Sequence, residues 1–254
     1  MPGLSEAWDN LRQGLGITRQ QPDLYLKLIL IYSLPSLAAA CLVVFGPHDA
    51  PWSAALISAL PLITMIVAPV VLMRAVDAGC GGERIGVLEA TRRGVPWVPR
   101  YVWTNVHTTV LFWVPVGALV MLWERSPLGA DLPTAVWVTV IAVVALHQHV
   151  RTVLAPYLAV HGELDGTRAA LTSWRLGGRH FWQLLGTFVL GSAPVALPLM
   201  LAFVVIERSG PNPLSAALLA AAWQLVWVGV QSTRGLLIPA LHTAYEQVAS
   251  HDPQ

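Results

Sequence analysis

Charged residues are scarce in this chain. Asp, Glu, Lys and Arg make up 11% of its 254 residues, whereas a soluble domain carries about 25%. The net charge is +1 and there are two cysteines, so there is neither a basic field for polyanions nor a disulfide framework. These shortages exclude an ordinary water-soluble enzyme, a nucleic-acid-binding protein and a disordered chain.

Catalytic motifs are also missing from the sequence. It contains no G-x-S-x-G, no Walker A sequence, no H-E-x-x-H and no C-x-x-C. The glycine-rich run Gly79–Gly82 follows an apolar stretch and lacks the lysine of a phosphate-binding loop, so a turn is expected there. We therefore expect a protein that is not an enzyme and needs no cofactor.

The chain contains long hydrophobic stretches instead. It is 55% hydrophobic, with a mean hydropathy of +0.60. Six apolar stretches are long enough to cross a membrane, which takes about 20 helical residues. They predict an all-α integral membrane protein with six transmembrane helices in three consecutive hairpins. The predicted spans are Leu24–Phe45, Trp52–Met73, Tyr101–Trp123, Ala135–Ala155, Phe181–Val205 and Leu214–Leu237.

Positive charge separates the two sides of this arrangement. The three short turns between paired spans hold Arg125 and Arg208, whereas the other thirteen Lys and Arg residues lie on the opposite side. Positive charge marks the cytoplasmic side of membrane proteins. We therefore expect a multi-pass protein of the bacterial inner membrane with both termini in the cytoplasm, and with membrane lipids among its partners.

The chain reads as one membrane domain, residues 1–254, built from three approximate repeats over 4–81, 82–163 and 164–246. The second and third copies share the pattern R-x-x-L-x-P-x-L, which begins at Arg151 and at Arg234. The same offset aligns Gly94 with Gly177, and Gly14 takes that place in the weaker first copy. Such spacing is typical of a duplicated unit.

A short amphipathic segment precedes each predicted hairpin. In the first, Leu4, Trp8, Leu11 and Leu15 share one helical face. In the third, Asp165 is a plausible N-cap. Such helices either lie in the headgroup plane or pack beneath the bundle, and the two readings are compatible. The candidate lipid-contacting residues are Trp8, Arg12, Arg92, Arg93, Trp174, Arg175 and Arg179.

Polar side chains inside the spans are costly in lipid and therefore informative. We expect them to form hydrogen bonds within the bundle; a polar cavity or a metal site at His107 with one other histidine is the alternative. His147 and His149 are two residues apart on a helix, so they cannot face one site. The candidates are His107, His147, His149, Arg151, Gln224, Gln231 and Arg234.

Arg151 and Arg234 each stand five residues before a proline. A proline leaves the carbonyl four residues earlier without its N–H donor. We expect each arginine to play a structural part, by binding such a carbonyl, by pairing with Asp77 or Glu163, or by reaching lipid phosphate. An anion site for a substrate is the alternative.

One stretch resembles a known family. Residues 170–186 resemble the run A-x-x-S-W-R-L-x-x-x-x-F-W-x-L-x-G, and Trp8, Gly14, Arg19–Pro22 and Met73-Arg74 fit the same group. The run marks bacterial six-span proteins of the YciC-like type and the membrane domain found beside some glycerophosphodiester phosphodiesterases. The resemblance implies a six-span fold. It does not extend to the barrel domain that carries the phosphodiesterase activity of some relatives, so that activity is not implied.

Two functions remain open on the sequence. The first is a non-enzymatic membrane protein that works through lipid and protein contacts, as an accessory or scaffold subunit with a membrane-protein partner or with a second copy of itself. The second is a transporter for a small or amphiphilic substrate, suggested by prolines and polar residues within the spans. A continuous polar cavity to mid-membrane would favour the transporter, and an apolar groove facing lipid would favour the first.

The predicted topology is tested by labelling from outside the cell. In a background with Cys41 and Cys80 replaced by serine, a cysteine placed at either terminus should resist a membrane-impermeant maleimide until the cells are permeabilised. Ser126→Cys, in a predicted outer turn, should react in intact cells and is the control. Reaction of either terminus in intact cells would contradict the topology.

Overall fold

The computed structural model describes residues 2–45, 51–125, 133–162, 164–193, 234–235 and 237–248. All regular structure within these ranges is helical, and they contain no strand. The all-α class predicted from the sequence is therefore confirmed for this part of the chain. The turn expected at Gly79–Gly82 is also present, because the helix ends at Cys80 and Gly82 has a φ of 71°.

The helices follow one another with short connections. A single 3-10 turn, Val95–Trp97, joins α4 to α5. In chain order the helices are α1 (Pro2–Gln20), α2 (Pro22–Phe45), α3 (Pro51–Cys80), α4 (Val87–Gly94), α5 (Val98–Arg125), α6 (Thr134–Thr152), α7 (Ala155–Val160), α8 (Gly166–Arg179), α9 (Phe181–Ala193) and α10 (residues 237–248). Asp165 caps α8 as expected, since its Oδ1 accepts a hydrogen bond from Arg168 N at 2.9 Å.

Three stretches of the described residues are long and apolar enough to cross a membrane: Ala55–Cys80, Val87–Arg125 and Thr134–Val160. They contain the predicted third and fourth spans and all but the first three residues of the predicted second span, and they indicate a membrane protein. The number of six spans and their arrangement in three hairpins stay predictions. Gln224, Gln231 and most of the predicted sixth span lie outside the described residues.

The tightly packed core lies at one end of the helices. Val71, Tyr157 and Leu241 are almost fully buried, and they come from α3, α7 and α10. The short helices α1, α4, α7 and α8 surround this same end, which carries most of the described arginines. We call it the charged side of the protein.

Away from the charged side, the long helices present large apolar side chains outward. On α5, Trp113, Val114 and Met121 are each more than half exposed. A water-soluble protein rarely exposes a continuous apolar surface of this kind. The arrangement suits helices whose outer faces are covered by lipid chains.

The amphipathic helices contact the rest of the protein through their small residues. On α1, Ala7 is fully buried and packs near Gly186, whereas Leu4 and Trp8 are more than half exposed. On α4, Ala90 is buried and Leu88 is 83% exposed. The two sequence readings of these segments are therefore both compatible with the structure, because the small face packs on the bundle while the large apolar residues point outward.

Three glycines bring the helices of the charged side into backbone contact. A Cβ added at Gly177 would lie 2.6 Å from Arg151 Cα, and one at Gly94 would lie 2.9 Å from Val71 Cα. A Cβ added at Gly14 would lie 2.6 Å from the backbone nitrogen of Ala240. Each approach is closer than any real Cβ contact, so these helices dock only because the side chain is absent.

Replacement of Gly177 by alanine should therefore destabilise the protein. The new methyl group has to push α8 off α6, and overpacking of this kind costs about 1–3 kcal/mol. Thermal unfolding in detergent should show a lower midpoint for Gly177→Ala. Gly16→Ala is the matched control, since Gly16 is also helical, but a Cβ there would meet nothing within 4 Å. Equal midpoints for the two variants would contradict this packing.

Candidate functional site

A groove of about 570 Å³ lies beside α5. We call it the α5 groove. Its lining is mainly apolar, and its volume falls within the range of about 300–1,000 Å³ typical of small-molecule sites. The side chains that shape it include Met73, Tyr101, Phe112, Phe188 and Arg234.

The α5 groove changes in polarity along its length. Tyr101, Asn105, Thr108 and Phe112 line it from successive turns of one face of α5. At 1.5 Å per residue this face is about 16 Å long. Its charged-side end carries the polar groups, and its far end carries aromatic rings. An amphiphilic molecule has the same gradient.

Arg234 supplies positive charge at the polar end of the groove. It is half-buried, and it lines the groove together with Tyr101 and Tyr157. Sequence reasoning identified Arg234 but not the two tyrosines or Asn105. The available signal was the spacing of Tyr101, Asn105, Thr108 and Phe112, which is three to four residues and therefore one helical face.

The second predicted arginine, Arg151, lies in a separate cleft on the charged side. This arginine cleft has a volume of about 520 Å³ and is lined by His147, Arg151, Leu171, Trp174, Arg175, Gly178 and Arg179. Arg151 Nε donates a hydrogen bond to the Trp174 carbonyl at 3.1 Å, and its guanidinium carbon lies 3.4 Å from the centre of the Trp174 ring. The backbone carbonyl of Arg151 also accepts a hydrogen bond from Ser173 at 3.0 Å.

Arg151 therefore has a carbonyl partner, but not one that the sequence suggested. The proposed pairing with Asp77 is wrong, because Asp77 binds Arg74 at 3.0 Å and His161 at 3.1 Å. The carbonyl that Arg151 binds belongs to Trp174 on α8. This helix docks on α6 through Gly177 and so places Trp174 beside the guanidinium group of Arg151. Glu163, the other acid considered, lies outside the described residues.

The three histidines of the predicted spans do not form one site. His107 is hydrogen-bonded as expected, with Nδ1 2.9 Å from the Trp103 carbonyl and Nε2 3.0 Å from Thr167. His147 lines the arginine cleft, and His149 lines the α5 groove. The prediction that His147 and His149 face different sites is confirmed.

The candidate lipid-contacting residues lie in three different surroundings. Trp8, Arg12 and Arg92 are exposed, and Arg175 and Arg179 line the arginine cleft with Trp174. Arg93 differs, because it forms ion pairs with Glu83 at 2.6 Å and with Glu89 at 2.8 Å. Its charge is thus partly satisfied within the protein.

One cluster that sequence reasoning missed has the chemistry of a metal site. Asp77, His161 and His242 offer ligand atoms that all lie within 4.8 Å of one another. The sequence did contain a positional signal. His161 and His242 follow the shared R-x-x-L-x-P-x-L pattern closely, and Asp77 lies just past the end of the predicted second span.

Comparison with known proteins adds no relatives. No protein-family model, no curated protein and no solved structure matches the chain.

The part played by Arg151 can be tested by substitution. Arg151→Leu removes the bond to the Trp174 carbonyl and the stacked cation, so it should cost about 1–2 kcal/mol and lower the thermal midpoint in detergent. Arg151→Lys should recover only part of the loss, because an ammonium group has neither the plane nor Nε.

Arg168→Leu is the control for this measurement. The side chain of Arg168 is 79% exposed and sits 3.4 Å from Asp165 at the surface. An exposed pair of this kind contributes little, so the midpoint should hardly move. A loss as large as that of Arg151→Leu would show that the effect is not specific to the Trp174 contact.

Proposed function

We propose that this chain is a non-enzymatic, polytopic membrane protein that acts through lipid and protein contacts, and that the α5 groove holds a single-chain anionic amphiphile. The observation that carries the proposal is the groove itself, with a cation at its polar end and aromatic rings at its apolar end. An apolar, partly open groove of this kind suits a lipid-binding protein better than a continuous polar channel would.

The position of the protein in the cell belongs to the same proposal. We place it in the inner membrane of a bacterium, with six spans and with the charged side facing the cytoplasm. The distribution of Lys and Arg supports this orientation. The resemblance of residues 170–186 to the YciC-like proteins points to the same kind of six-span protein. In that orientation, the polar end of the groove opens toward the inner leaflet.

The occupant is identified by charge and by shape. Arg234 can pair with a carboxylate or phosphate, and the Tyr101 hydroxyl, which lines the same groove, can donate a hydrogen bond to that group. Phe112 and Phe188 line the groove farther from Arg234, and the lining as a whole is mainly apolar. A single acyl chain with a charged head fits a groove that has a cation at one end and aromatic rings at the other.

Other features of the charged side support contact with lipid. Trp8 and Trp182 are 58% and 72% exposed, and tryptophan favours the boundary between headgroups and chains. In the arginine cleft, Arg175 and Arg179 lie beside Trp174. Arginine next to an aromatic ring suits the headgroup region, where phosphate is available.

A transporter of small amphiphiles is the second candidate. The polar groups of the α5 groove favour it, since Asn105, His149 and Arg234 all line the same cavity. The two candidates differ in one measurable property. A lipid-holding protein retains the amphiphile, whereas a transporter releases it on the other side of a sealed vesicle.

The proposal is tested by binding of a fatty acid to the purified protein in nanodiscs. Native mass spectrometry should find one fatty acid per chain. Arg234→Gln should weaken this binding about tenfold or more, because a hydrogen-bonded ion pair is lost. Binding of the fatty alcohol of equal length, which has no charge, should change little.

Two neighbouring positions give a matched steric control. Thr109 lines the α5 groove, whereas Val110 is exposed beside it and does not line it. Thr109→Phe should block binding and Val110→Phe should not. Equal binding by the two variants, or no retained fatty acid in the wild type, would contradict the proposal. Release of bound fatty acid into proteoliposomes would favour the transporter instead.

A further inference from the structure

Three chain segments converge on a buried polar cluster at the charged side. Asp77 lies near the end of α3, His161 follows α7 directly, and His242 lies in α10. Each residue therefore comes from the inner end of a different predicted hairpin. No part of the α5 groove is lined by any of the three.

The geometry of the cluster is close. Asp77 Oδ1 lies 3.1 Å from His161 Nδ1 and 4.0 Å from His242 Nδ1. The two imidazole rings meet edge to face, with their centres 5.2 Å apart. One carboxylate oxygen thus lies close to both imidazole rings.

Three imidazole nitrogens in the cluster have no hydrogen-bond partner among the described residues. They are Nε2 of His161 and both ring nitrogens of His242. The side chains are buried, with 11% of His161 and 6% of His242 exposed. An unpaired buried polar atom costs about 1–3 kcal/mol, and a single ion that binds one nitrogen of each ring would remove part of this cost.

Asp77 is held so that one oxygen stays available. Its Oδ2 accepts a hydrogen bond from Arg74 at 3.0 Å, and Arg74 also donates to the Val160 carbonyl at 3.1 Å. The guanidinium lies 4.3 Å from the centre of the Trp97 ring, which fixes its position further. Oδ1 is left facing the two histidines.

We propose that Asp77, His161 and His242 bind one divalent transition-metal ion of the zinc class. Two imidazoles and one carboxylate are ligands that such ions accept, with bonds of about 2.0–2.2 Å. Ligand atoms around a tetrahedral ion stand roughly 3.3–3.6 Å apart at those bond lengths. The cluster reaches this spacing with side-chain shifts of about one ångström.

The surroundings offer a fourth ligand. Glu246 Oε1 lies 3.3 Å from His242 Nε2, and its side chain is 59% exposed and able to turn toward the ion.

A histidine–aspartate pair without a metal is the competing interpretation. It accounts for His161 Nδ1, which lies 3.1 Å from Asp77. It leaves His161 Nε2 without a hydrogen bond, and it leaves His242 with only the Glu246 carboxylate oxygen, 3.3 Å from its Nε2. A metal ion engages both rings at once, and it also ties α3, the segment after α7 and α10 together at the charged side.

The experiment measures metal binding to the whole protein, purified in detergent with an affinity tag that contains no histidine. After treatment with a chelator, zinc is titrated by calorimetry, and cobalt is titrated by its visible absorption as a report on ligand number. We expect one ion per chain. His161→Ala and His242→Ala should each weaken zinc binding about tenfold or more.

Matched histidine variants control for non-specific binding. His107 and His149 lie outside the cluster, and His107 is already hydrogen-bonded at both nitrogens. His107→Ala and His149→Ala should bind zinc as the wild type does. Zinc should also raise the thermal midpoint of the wild type and of both controls, but not that of His242→Ala.

The outcomes separate cleanly, and none depends on the lipid proposal. The metal site is wrong if the wild type binds no zinc, or if the control variants lose as much affinity as His161→Ala and His242→Ala. If an alanine variant does not fold, Asp77→Asn and His242→Gln keep the volume and are read in its place. Fatty-acid binding that persists in the metal-free protein leaves the α5 groove proposal standing whatever the zinc result.

Discussion

Backbone contact at three glycines is the constraint on which the described structure depends. Gly14, Gly94 and Gly177 each let a short amphipathic helix touch the main chain of a neighbouring helix. Such close approach maximises dispersion contact where apolar burial alone has little to offer, as at helix contacts in membranes. These contacts hold the ends of the long helices close together on the charged side. The α5 groove and the Asp77 cluster both depend on that packing.

The same contacts explain why the amphipathic helices have two apolar surfaces. Small residues such as Ala7 and Ala90 are used for docking, so the large ones remain on the outside. Leu88, at 83% exposed, would be a liability in water, but at a membrane boundary it gains burial in lipid. The pattern that looked like one amphipathic face is therefore divided between small residues that pack on the bundle and large apolar residues that are exposed.

Much of the fold follows from the sequence, because apolar length and helical periodicity are local properties. The helix bounds match the first four predicted spans closely, and the N-cap at Asp165 was predictable from residue type. The hydrogen-bond partner of Arg151 could not be predicted from the sequence. It depends on Gly177 bringing α8 onto α6, a contact between distant segments that no local pattern specifies. Gly94 and Gly177 are aligned in the predicted repeat, and each docks a short helix on a longer one; the repeat itself stays a prediction.

A search for polar residues in the middle of the spans does not find the cluster of Asp77, His161 and His242. A polar residue within lipid is costly and draws notice, so His107, His147 and His149 were the natural candidates. Two of them proved to line separate cavities and the third is hydrogen-bonded. His242 lies past the predicted end of a span, where a histidine is unremarkable in sequence. Its burial arises because α10 packs into the core at the charged side, and a cost that tertiary packing creates is visible only once the packing is known.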